Sequence, residues 1–211
     1  MRTSTRLAIS LRARQESGDC VVSAEYVSRA SLALALEHSS ALRDPLDKPY
    51  GHYLLLELAS AETNDGLRRT LEEILEVALG AGQIGDAAIA ASGRQAKSMW
   101  ALRETIPAAE RGEGGSVKHD ISIRVSKIPE FVRLASDTLG AIAAHRLSLF
   151  GHIGDGNLHY NILPPLGMDL ATFNDGAATD LSAAVYRLVD QLGGSFSAEH
   201  GIGVTKRAEL R

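Results

Sequence analysis

The chain reads as an α+β protein, a largely antiparallel sheet with helices packed on it, and three features of the sequence lead there. Asp155-Gly156 stands between two apolar, β-prone runs, the strongest short-range hairpin signal, because a two-residue type I′ turn needs positive φ at both central positions. Tyr50 to Ala59 is a second strand-like run with Tyr53-Leu54-Leu55-Leu56 at its centre, a continuous apolar stretch expected to be buried on both faces. Amphipathic helices separate the strands. Leu67, Leu71, Ile74, Leu75 and Ala78 recur at the helical period from Asp65 to Leu79, and successive strand and helix units are compatible with two ferredoxin-like halves.

In chain order, Cys20 to Tyr26 predicts a strand, and Ser28 is placed to cap a helix reaching His38. Ala41 to Lys48 is a loop. Gly80-Ala81-Gly82-Gln83-Ile84-Gly85 matches the dinucleotide fingerprint in form, but it follows a helix and precedes the strand-like Ala87 to Ala91, the reverse of the required context. These glycines are better read as a helix terminus. A helix from Gly93 carries Met99, Trp100, Leu102, Arg103 and Ile106 and is expected to break at Pro107, before a mobile loop from Glu110 to Gly115. On its own Arg103 reads as a solvated helix charge. Lys118 to Val125 alternates as a half-buried strand. Ser126 is placed to cap a helix with Pro129 in its first turn and Phe131, Leu134, Ala135, Leu139 and Ile142 on its apolar face. The hairpin strands run from Arg146 to Leu163, and Met168 to Leu192 is helical up to Gly193-Gly194. Ser195 to Ala198 is a short strand presenting Glu199 and His200, and a final helix begins near Thr205.

With 211 residues, 45% of them hydrophobic, the chain is long enough for one sizeable core. A net charge of −4 provides no basic stripe, which excludes nucleic acid and anionic membrane as expected partners. The single cysteine, Cys20, excludes an internal disulfide, and the composition fits a cytoplasmic protein. The arginine-rich opening has only Leu7-Ala8-Ile9 as an apolar run, too short for a signal-peptide core, and no later stretch approaches a membrane span of about 18 residues. Residues 1–19 are read as a frayed or helical leader and residues 20–211 as one domain.

Counting outward from a turn at Asp155-Gly156 pairs Ile153 with Leu158 and His152 with His159, which sets two imidazoles opposite each other on one face, about 5 Å apart at Cβ. That suits a metal ion. Asn161 shares the face of His159. A third ligand is sought in Gly193 to Gly203, where Glu199 and His200 are adjacent and framed by glycines. Two histidines and a carboxylate leave coordination positions open, as in catalytic Zn, Mn or Fe sites.

Gly-His-Ile-Gly-Asp-Gly-Asn-Leu-His-Tyr-Asn (151–161) and Ser-Ala-Glu-His-Gly-Ile-Gly (197–203) resemble the two signature motifs of the FAD-linked oxidase C-terminal domain. Members of that family are flavoenzymes of the D-lactate dehydrogenase, glycolate oxidase D subunit and D-2-hydroxyglutarate dehydrogenase types. The resemblance extends to Trp100-Ala101-Leu102-Arg103-Glu104 and to Gly115-Ser116-Val117-Lys118-His119-Asp120-Ile121-Ser122, and it covers about residues 20 to 211.

The resemblance implies the substrate and metal-binding (cap) domain of an enzyme that oxidises a D-2-hydroxy acid to a 2-oxo acid. FAD would be bound mainly by a preceding domain or subunit that this sequence does not contain, and a further C-terminal segment would follow. The fragment alone is expected to be inactive. It implies a divalent ion, Zn or Mn, on His152, His159 and Glu199, with His200 as the proton acceptor. Arg103, Lys118 and Asn161 would hold the substrate carboxylate, while His119 matches the pattern less well. Relatives acting on a dicarboxylate use a hydroxyl in the region occupied here by Thr105 and Pro107. Pro107 has no side-chain donor, which argues against specificity for a second carboxylate such as that of 2-hydroxyglutarate. A homo-oligomer is compatible with all of this. Two other classes share the His, His, Glu set, a metal-dependent hydrolase and a noncatalytic metal-binding module.

Overall fold

The computed structural model describes residue 10 and residues 12–61 and 66–198. Five strands, β1 (Val21–Ser28), β2 (His52–Leu58), β3 (Asp120–Ser122), β4 (Arg146–His152) and β5 (Asn157–Leu163), form one sheet in the order β2-β1-β4-β5-β3. Every pairing is antiparallel. The helices are α1 (Arg29–His38), α2 (Gly66–Gly80), α3 (Gly93–Gly112), α4 (Ile128–Ile142), α5 (Leu170–Asp175) and α6 (Ala178–Gln191). The α+β expectation therefore holds, with the strands of both halves in a single sheet.

Strand alternation sends side chains to two faces, and each face has its own helices. Tyr26, Leu149, Leu158, Tyr160 and Ile162 pack with Phe131, Ala135 and Leu139 of α4 and with Leu181 and Val185 of α6. Val27 and Phe150 point the other way and meet Leu32 and Ala35 of α1 and Leu102 and Ile106 of α3. Ser28 caps α1 by accepting from the Ser31 N–H at 3.2 Å. The Ser31 hydroxyl in turn accepts from the Leu149 N–H at 2.8 Å, tying the helix to the sheet.

The structure changes several local expectations. β2 is an edge strand and most of its side chains are half-buried, because it is paired only with β1 among the described strands. The segment 87–91 is irregular rather than a strand. The glycine run ends α2 in a Schellman pattern, with Gln83 N bonded to Ala78 O at 2.8 Å, Gly82 N to Leu79 O at 2.9 Å and Gly82 at φ +63°.

α3 does not break at Pro107. The proline removes the N–H that would reach the Arg103 carbonyl, yet Ile106, Ala109 and Glu110 are buried and hold the last turns in place. Instead of Lys118 to Val125, β3 covers Asp120–Ser122 and a 3₁₀ turn, Val125–Lys127, leads into α4 without a side-chain cap. The predicted helix from Met168 to Leu192 is interrupted at Gly176. Asp169 caps its first part by accepting from Thr172 N, which holds the Asp169 carboxyl below its ordinary range. Residues 12–16 of the leader are helical, and Ala13 is buried against Ile74 and Ala78. No helix among the described residues is long and apolar enough to cross a membrane.

The β4-β5 hairpin exists, but its register is shifted from the expected one. Phe150, not His152, stands opposite His159, and Leu149 faces Tyr160. The expected type I′ turn is excluded because Gly156 has φ +83° while Asp155 is not in the positive region. Beyond Phe150, β4 pairs with β1, so Glu25 lies opposite His152 and the Ile153 N–H bonds to Ala24 O at 2.9 Å. Residues 153–156 form the connection, stapled by Asp155 Oδ1 accepting from Asn157 N at 3.0 Å. A Cβ on Gly156 would lie 2.1 Å from the Ile123 carbonyl oxygen, whereas one on Gly154 would meet nothing within 4 Å. Gly156→Ala should therefore lower unfolding stability in urea by about 2 kcal/mol or more, while Gly154→Ala stays within about 0.5 kcal/mol. Equal stabilities for the two variants would contradict this turn geometry.

Candidate functional site

One face of the sheet carries a row of polar side chains beside α3: Glu25 on β1, His152 on β4, His159 and Asn161 on β5, and Asp120 on β3. Cross-strand pairing sets Glu25 opposite His152 and Asp120 opposite His159. Glu25 has 0% of its surface exposed, so its charge needs partners. Arg103 Nε donates to Glu25 Oε2 at 2.8 Å, His152 Nδ1 bonds to Glu25 Oε1, and the Ser23 hydroxyl donates to the same oxygen at 3.4 Å. The Arg103 guanidinium also lies over the Phe150 ring, 4.7 Å from its centroid, a cation–π contact. Arg103 is thus held inside the site, in contrast to the solvated charge that its helix alone suggests.

The His152 and His159 rings meet edge-on with centroids 6.3 Å apart. They occupy diagonal rather than facing positions, a consequence of the shifted register. His159 Nδ1 lies 3.7 Å from Asp120 Oδ1, too long for a hydrogen bond. Among the described residues, no group of three or more His, Cys, Asp or Glu is gathered closely enough to hold a metal. Glu199 and His200, the expected third ligand and proton acceptor, lie outside the described residues.

Asn161 is 4% exposed, and its amide is held on both sides. Nδ2 donates to Glu110 Oε1 at 3.0 Å and to Oε2 at 3.1 Å, while Oδ1 accepts from His119 N at 3.3 Å. Glu110, 1% exposed, also accepts from the Ser116 hydroxyl at 3.0 Å. Lys118 is exposed. The register that pairs Val117 with Ile162 and Asp120 with His159 places it across from Asn161. His119 is buried in packing: Nδ1 donates to Tyr160 O at 2.8 Å, which leaves Nε2 to accept from the Ser182 hydroxyl at 2.9 Å. Asn157, 3% exposed, has no partner for either side-chain amide atom among the described residues. A cavity of about 770 Å³ opens beside the row between β2, α2 and α3, with Arg103 in its wall and otherwise largely apolar lining such as Leu55, Leu71 and Trp100.

The sequence reading missed Glu25 and Glu110. The one signal for Glu25 was a lone acid within an apolar strand, and Glu110 fell in a segment read as a loop. Glu110→Ala would leave the buried Asn161 amide donor without an acceptor and unpair the half-buried Ser116 hydroxyl, so it should cost about 2–4 kcal/mol in chemical denaturation. Glu113→Ala, which breaks only the exposed pair with Arg146, should cost under about 1 kcal/mol. A Glu110→Ala cost no larger than that of Glu113→Ala would contradict the assigned network.

Comparison with known proteins then places the chain. The family model described as FAD linked oxidases, C-terminal domain, matches residues 7–211. The chain is 35% identical over 201 residues to a mitochondrial D-2-hydroxyglutarate dehydrogenase of Arabidopsis thaliana, covering 95% of this chain and 34% of the relative. It is 32% identical over 195 residues to the mitochondrial D-2-hydroxyglutarate dehydrogenase of Danio rerio (90% and 34%). It is 36% identical over 165 residues to the D-2-hydroxyglutarate dehydrogenase of Stutzerimonas stutzeri (78% and 34%). The chain spans about one third of the length of these relatives. With nearly its whole length matched by one model, the chain belongs to the family of FAD-linked oxidase C-terminal domains.

Proposed function

We propose that this chain is the substrate-binding part of an FAD-dependent D-2-hydroxy acid dehydrogenase, oxidising a 2-hydroxy acid to a 2-oxo acid when joined to a flavin-binding domain. Family membership supports this reading, and the observation that carries it is Arg103 held by buried Glu25 beside His152. A guanidinium held through Nε presents its two Nη groups in the planar fork that matches a carboxylate. Lys118, across the β3 side of Asn161, adds a second cation. Asn161 is kept rigid by Glu110. Arg103 and Lys118 would fix the carboxylate end of the substrate and so orient its C2 carbon, with Asn161 joining them on giving up one of its two bonds to Glu110. The wall beyond Arg103 is largely apolar but also carries Arg68, and Pro107 supplies no side-chain donor, so the nature of the substrate's second end is decided by comparing D-lactate with D-2-hydroxyglutarate.

His152, His159 and Glu199 are the residues proposed to hold a divalent ion, Zn or Mn. His152 and His159, whose ring centroids lie 6.3 Å apart, would supply the two imidazole ligands. Bound there, the ion would lower the pKa of the 2-hydroxyl as a Lewis acid, and FAD would accept the hydride. His200 is proposed to take the hydroxyl proton, since imidazole titrates near neutrality. The hydrolase and the noncatalytic module draw no support from any particular observation.

The test is to join the chain to the flavin-binding portion of such an enzyme and follow flavin bleaching with D-lactate and with D-2-hydroxyglutarate under anaerobic conditions. Bleaching by at least one D-2-hydroxy acid is expected, with kcat lowered about 10²–10⁴-fold by His200→Ala. An unchanged rate in that variant, or no bleaching by either acid, would contradict the proposal.

A further inference from the structure

We infer that Glu25 is the positioning residue of this site: its buried carboxylate fixes which nitrogen His152 offers to a ligand and at the same time sets the angle of Arg103. The assignment rests on the metal-site reading above and extends it to a residue that neither the signature motifs nor the relatives' names point to. Three observations carry it. Glu25 and His152 are directly opposed in the antiparallel pairing of β1 and β4, so their contact is built into the sheet rather than left to flexible side chains. Glu25 is completely buried, and its two oxygens face different partners, Oε1 the His152 Nδ1 and, at 3.4 Å, the Ser23 hydroxyl, Oε2 the Arg103 Nε. Arg103 comes from α3 and lies against Phe150, so one carboxylate joins a helix to two neighbouring inner strands, β1 and β4.

The chemistry follows from the hydrogen count. A carboxylate can only accept, so His152 must donate from Nδ1, and neutral imidazole then carries its lone pair on Nε2. Nε2 is thereby selected as the ligating atom, the arrangement in which an acid behind a histidine fixes its tautomer and ring orientation. In the same way, engaging Arg103 through Nε leaves both Nη groups for a planar anion. Glu25 touches neither substrate nor ion and acts through both neighbours.

Glu25→Gln separates this role from packing. The glutamine oxygen can still accept from Arg103, but its amide donates toward His152 Nδ1, which must then hold the lone pair and move the proton to Nε2. In the metal-free chain labelled with ¹⁵N-histidine, with His152→Ala to assign the resonance, His152 should carry its proton on Nδ1. It should carry it on Nε2 in Glu25→Gln and return to Nδ1 in Glu25→Asp. Titration with Zn²⁺ and Mn²⁺ should show affinity about 10–100-fold weaker in Glu25→Gln, at unchanged circular dichroism, and partly restored in Glu25→Asp. Should Glu25→Gln fail to fold, the wild-type and Glu25→Asp spectra still decide, because an Nε2 proton on wild-type His152 overturns the assignment. Equal metal affinity in wild type and Glu25→Gln overturns the positioning role alone. A wild-type chain that takes up neither ion overturns the metal-site reading and this role with it.

Discussion

A carboxylate with no exposed surface sits in one of the inner strands of the sheet, and the rest of the site is arranged by what that charge requires. Burying an ion costs several kcal/mol unless its partners are well placed. For Glu25 these are His152 on the adjacent strand and Arg103 on the covering helix. The need is met only if β1 and β4 pair in the observed register and if α3 lies on this face of the sheet. Leu102 and Ile106 pack α3 against Val27 and Phe150, so apolar burial and ion pairing impose the same placement.

The same helix serves the site twice. Arg103 and Glu110 are seven positions apart, two helical turns, and therefore lie on one side of α3. The first reaches β1 and β4, and the second reaches Asn161 on β5 and Ser116 ahead of β3. Pro107 stands between them and removes one backbone bond of the helix, a weakness compensated by the anchors on either side of it. Tied to the sheet side at Arg103 near its middle and at Glu110 near its C-terminal end, α3 is a rigid support for the group proposed to bind the carboxylate.

Much of this was legible before the fold was known. Hydrophobic period and turn chemistry gave the helices, the hairpin and the antiparallel sheet, and the quoted motifs pointed to the family. Register was not legible, because Ile153 gives its N–H to Ala24, a partner more than a hundred positions away. Local counting from Asp155-Gly156 could not see that competitor, and so it placed His152 rather than Phe150 opposite His159. Arg103 read as solvated for the same reason: its partner lies 78 positions upstream. Glu110 was hidden by the proline, which suggested a broken helix where tertiary packing keeps it whole. Glu199 and His200 lie outside the described residues, so their roles stand on the motif that carries them.

Crystals of the chain grown with Zn²⁺ or Mn²⁺, with anomalous scattering recorded at the metal edge, test the account most directly. An ion about 2.0–2.2 Å from His152 Nε2 and from a ring nitrogen of His159, with the Glu25 bridge to Arg103 intact behind it, is the predicted result. An ion bound through His152 Nδ1, or one seated away from both imidazoles, would contradict it.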